Sequence, residues 1–138
     1  MDDETHRASL ATLDALFGPG MGARHDRFIG RLKRPELREA LHRYHVIEGD
    51  ESDLSLRENY LLGMTVLCAQ GRYVPAGMFA RTLCHIGVPE ATILAAVARL
   101  EMWIGGVPAA EAAAHMQAAV SDYRRNGLDS MKAWFPDG

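Results

Sequence analysis

Four polar residues stand where chemistry is conceivable: Glu58, Tyr60, Arg72 and Glu101. A carboxylate or a phenol can carry a proton, and an arginine offers a planar fork to a substrate carboxylate. Each also has a plainer reading. Glu58 follows Ser55 by three residues, the Ser-x-x-Glu spacing of a capping box. Arg72 follows Gly71 and reads equally as a helix-end cation in water. Glu101 stands between Leu100 and Met102-Trp103 in an otherwise apolar stretch. A half-buried carboxylate there would have a raised pKa, and a helix edge facing water explains it as well.

The histidines add two acid–base candidates, His85 and His115, because imidazole titrates near neutrality. Exposure or an interface is the plainer reading of His85. Packing or interface duty is that of His115, which sits in an alanine-rich stretch. His42 and His45 flank Tyr44 and show no metal-ligand spacing with an acid pair, so neither a metal nor a cofactor is expected. Cys68 and Cys84 form no CxxC pair and read as buried free thiols. The remaining signal is apolar. Met64, Met78, Phe79, Met102 and Trp103, with Tyr60, line either a greasy pocket or a core; Met64, Met78, Phe79, Trp103 and His85 are the substrate-binding candidates.

Helices must position these residues, since no segment sustains a period of two. Leu10, Leu13, Leu16 and Phe17 predict a helix over 7–17, stopped by Gly18-Pro19-Gly20. A short helix over 24–31 and another over 35–45 precede a polar turn at 48–53. The helix capped by Ser55 carries Tyr60, Leu61, Met64, Leu67 and Cys68 and ends at Gly71. Pro75 opens a helix over 75–86, with Phe79, Thr82, Leu83 and Ile86 inward. Pro89 starts one that carries Ile93, Val97, Leu100 and Ile104 and ends at Gly105-Gly106. Pro108 begins an alanine-rich helix, and 128–135 a short terminal one. The expectation is an all-α compact bundle of about six to eight helices. It forms a single domain over residues 1–138.

The bulk properties narrow the class. The chain has 138 residues and a net charge of −3, is 48% hydrophobic and 24% charged, and scatters its bases among acids. Nothing points to nucleic acid. No apolar run is long enough to cross a membrane, and the acidic start Met1-Asp2-Asp3-Glu4 is no signal-peptide n-region, so a cytoplasmic location is expected.

From Leu54 the order of marks resembles the carboxymuconolactone decarboxylase and alkylhydroperoxidase D-like superfamily. The marks are Leu54 to Arg57, Gly71-Arg72, Gly87-Val88-Pro89-Glu90 and Gly106-Val107-Pro108. With a lead-in from Arg24 to Tyr44, the likeness covers roughly residues 24–120. It implies protomers assembled into rings, commonly trimers or hexamers. It also implies a pocket near the helix that ends at Gly87, often close to a subunit interface. The chain departs from the family where its chemistry resides. The usual histidine, eight residues before that glycine, is Phe79. The paired cysteines of the peroxidase branch fall at Arg72 and Pro75, and the decarboxylase-like arginine falls at Asn59. A phenyl ring transfers no proton, and without a proximal dithiol the thiol–disulfide route is closed.

These readings give a cofactor-free lyase, isomerase or cyclase acting on a hydrophobic cyclic, lactone or polyketide-like metabolite. Glu58, Arg72, Glu101 and Tyr60 would assist a pocket that works mainly by shape. The alternative is a non-catalytic oligomeric scaffold or small-molecule binder on a degenerate decarboxylase fold. Turnover of the family's usual lactone is expected to be absent.

Overall fold

A computed structural model describes residues 2–37, 39 and 53–133 of the chain. The described residues are helical, with seven α-helices and no strand, as the absence of two-residue alternation predicted. Most of the expected helix over 35–45, with His42, Tyr44 and His45, and most of the polar turn at 48–53 lie outside the described residues. No described helix is long and apolar enough to cross a membrane. Two units are distinguished: Met1–Leu56 with Asp129–Gly138, and Arg57–Leu128.

In the first unit, α1 spans Asp3–Phe17 and α2 spans Met21–Arg31. Asp2 caps α1 by accepting the Thr5 N–H at 2.7 Å, which holds its carboxyl below the ordinary carboxylate range. Between the helices Gly18 and Gly20 take φ of 116° and 81°, values that favour glycine. Gly20 gives α2 no side-chain cap. Asp14 reaches over from α1 instead and accepts the Gly22 N–H at 2.7 Å. The two helices therefore touch closely at Gly22, and α2 starts three residues before the sequence reading. A β-carbon on Gly22 would come within 2.4 Å of the Leu10 carbonyl oxygen, a backbone atom that cannot swing aside. Gly22→Ala is accordingly expected to destabilise the protein by ~1–3 kcal/mol, the usual cost of overpacking. Urea unfolding measures it, and an unchanged midpoint would refute the close crossing. Leu13, Leu16, Phe17, Met21 and Ile29 are buried here, as is His25. A short 3₁₀ helix follows at Asp129–Ala133, with Met131 buried.

The second unit holds α3 (Leu56–Ala69, its first residue excepted), α4 (Tyr73–His85), α5 (Glu90–Arg99), α6 (Glu101–Ile104) and α7 (Gly106–Asn126). Helix α7 packs along α4, α5 and α6. Small residues allow its approach to α4: Ala76, Gly77 and Ala80 are buried on one side, Ala112 and Ala119 on the other. Both α4 and α7 begin two residues before the proline that the sequence made their first residue. Pro75 and Pro108 thus occupy third positions, still within the turn whose N–H groups have no helical partner.

The helix expected from Pro89 to Ile104 is broken at Leu100. There the turn tightens, the Leu100 N–H bonding the Val97 carbonyl at 3.1 Å. Ile93, Val97 and Leu100 keep their inward places. Met102 and Trp103, carried by the redirected α6, do not: they are 73% and 71% exposed.

Candidate functional site

The residues nominated for catalysis lie on α3, on α6 and just before α4, one of them buried and three exposed. Ser55 directly precedes α3 and Glu58 is that helix's third residue, the register of a capping box; Glu58 is exposed. Tyr60 is fully buried in the core. Arg72 is the exposed residue before α4, its backbone N–H bonding Leu67 O at 2.9 Å. Glu101 is exposed at the start of α6. Its carboxylate lies 3.5 Å from where a β-carbon on Gly106 would stand, over the first residue of α7. A negative charge is stabilised there by the helix N-terminus.

The binding candidates divide in the same way. Met64 and Met78 are core residues, 0% and 4% exposed, and Trp103 faces water. Phe79 is half-buried and packs against α3. Its ring centroid lies 4.9 Å from that of Tyr60. Its edge fills a notch at Gly63, where a β-carbon would approach it to 2.5 Å.

A surface cleft of about 590 Å³ opens further along, at the C-terminal end of α4. Cys84, Val88, Pro89 and Glu90 line one side, Tyr123 and Arg124 the other. Gly87 and Gly127, with φ of 91° and 61°, turn the backbone at its floor. Arg124 holds Glu90 by two hydrogen bonds, Nε to Oε1 at 3.0 Å and Nη2 to Oε2. That hydrogen bonding keeps the Glu90 carboxyl below its ordinary value. The small stabilisation it brings is present above the ordinary carboxylate range and lost as the pH falls through the lowered pKa.

Tyr123 bridges to α4, its hydroxyl 3.2 Å from Nδ1 of exposed His85. Burial, then the nearby Cys84, raises the Tyr123 pKa, so the phenol stays neutral at physiological pH. One turn deeper between the same helices, Arg81 Nε bonds Asp122 Oδ2 at 2.8 Å. At the other end of α4, Tyr73 stacks on His115, centroids 4.2 Å apart and rings 10° from parallel. Among the described residues, no group of three His, Cys, Asp or Glu could hold a metal ion.

Both cysteines are free, Cys68 buried and Cys84 half-buried. Burial pushes the Cys68 thiol up to about 11 and raises that of Cys84, which Glu90 raises further. Since the thiolate is the nucleophile, Cys68 is a poor one. At pH 8, iodoacetamide is expected to label Cys84 in the folded protein and Cys68 only after unfolding. Mass spectrometry of digests at successive times checks this; equal rates would contradict the burial of Cys68.

The sequence reading did not find this cleft's pairs, because their partners are 34 to 41 residues apart. One hint was legible: Arg81 and His85, four apart, share a face of α4. No family model, curated protein or solved structure matches the chain.

Proposed function

We propose that the chain is a self-associating, non-catalytic binding protein. The observation that carries this is the apolar corner where α6 meets α7. Met102, Trp103 and Val107 are 73%, 71% and 81% exposed within six residues of sequence. Single exposed apolar residues are ordinary, but a cluster of large ones marks an interaction surface. Tryptophan and methionine are also enriched in protein interfaces. Leu62 and Val66, one turn apart on α3 and exposed, add a second apolar strip. Trimeric or hexameric rings, as implied by the family resemblance, are the assemblies to expect.

The full burial of Tyr60, with Glu58, Arg72 and Glu101 exposed, is why binding is preferred here to lyase, isomerase or cyclase chemistry. A proton-transfer mechanism needs groups within hydrogen-bond reach of one substrate. Sedimentation velocity across a concentration series tests the proposal. A species larger than one chain, growing with concentration or already saturated, supports it. A single chain at every concentration up to about 100 μM, far above the dissociation constants of stable interfaces, rules it out.

A further inference from the structure

The cleft at the end of α4 gathers a charged fork, a hydroxyl and apolar walls around open space. Its volume of about 590 Å³ lies within the range of small-molecule sites. Arg124 presents Nε and Nη2 to both oxygens of Glu90, the geometry by which arginine holds any carboxylate. These two side chains are 59% and 41% exposed, so their pairing adds little to stability. A second carboxylate that gains further contacts in the cleft can displace the first from the fork. Glu90 does not need Arg124 to remain ionised, because it is the first residue of α5, where the helix dipole favours negative charge.

Tyr123 supplies a second donor. When Nδ1 of His85 carries its proton and donates to the phenol oxygen, the phenol's own proton is left to donate. Val88 and Pro89 give the wall an apolar surface.

We propose that this cleft binds a small monocarboxylate with a short apolar body. The ligand's carboxylate replaces that of Glu90 on Arg124 and accepts from the Tyr123 hydroxyl, while its body lies against Val88 and Pro89. This site is independent of self-association, which rests on the α6–α7 corner.

Titrating the ¹⁵N-labelled full chain with hexanoate, hexanamide and hexylamine tests it, with the Gly87 and Gly127 amides as reporters. Hexanoate is expected to shift both amides saturably and to bind ~10-fold more tightly than hexanamide, as charge-assisted bidentate bonding requires. Glu90→Gln removes the internal competitor and should tighten hexanoate ~3–10-fold, whereas Arg124→Gln should weaken it at least ~10-fold. Retained spectral dispersion confirms that both variants fold. Equal binding of hexanamide, preference for hexylamine, no tightening in Glu90→Gln, or unmoved Gly87 and Gly127 amides would each overturn the assignment. None of these results bears on the sedimentation experiment, so the two conclusions fail separately.

Discussion

Trp103→Ser is expected to weaken self-association at least ~30-fold, because a central tryptophan in an interface carries ~2 kcal/mol or more. The fold should not change, since a side chain 71% exposed contributes little to the chain's own core. Helical circular dichroism should therefore match the parent while sedimentation shifts toward the single chain. Val107→Ser, at the same corner and 81% exposed, should act in the same direction. Leu62→Ser probes the other strip: if it dissociates the assembly and Trp103→Ser does not, the contact surface is α3. An assembly that survives all three substitutions would show that these side chains make no interface.

The second large effect concerns stability. Arg81 and Asp122 join α4 to α7 at 2.8 Å, with side chains only 17% and 19% exposed. Arg81→Met removes the cation and leaves a part-buried carboxylate. Asn126 still donates to Asp122 at 2.9 Å, but that bond does not neutralise the charge. The expected loss is ~2–3 kcal/mol, below the ~3–5 of a fully buried pair because water still reaches both groups. Replacing both partners, Arg81→Met with Asp122→Leu, should recover most of it, since no orphaned charge remains. Chemical denaturation of the three variants gives the answer. A loss in Arg81→Met below about 0.5 kcal/mol would make the pair an ordinary surface bridge.

Much of the helical scaffold was legible from residue types alone. Leu13, Leu16 and Phe17 in α1, Tyr60, Met64 and Cys68 in α3, and Ile93, Val97 and Leu100 in and beside α5 recur at helical spacing, and all are buried. The glycines at 18, 71, 87 and 105 ended helices where expected, each with the positive φ that other residues avoid. Helix starts were less legible. Asp14 caps α2 from a neighbouring helix, a contact with no local signature. Proline marks only the first turn of a helix, without saying which residue of that turn it occupies.

The residues of the site were hardly legible, although a pocket near the helix that ends at Gly87 was expected and a cleft lies there. Residue type nominated Glu58, Tyr60, Arg72 and Glu101, but a type does not say where a side chain points. Tyr60 fell in the core, Glu101 over the start of α7, and Phe79 into the notch at Gly63. Trp103, counted with the pocket, faced water because the helix carrying it turned at Leu100.

By itself the sequence determined the helical class, the buried stripes and the glycine stops of this protein. All of these depend on residues within one or two turns of each other, where spacing is geometry. Only the tertiary structure decided that Arg81 meets Asp122, that Arg124 holds Glu90, and that Tyr123 and Cys84 share a cleft. Those pairings depend on the angle and offset at which α4, α5 and α7 pack. Those are set by the summed fit of small side chains such as Ala76, Gly77, Ala112 and Ala119, not by any local pattern in the chain.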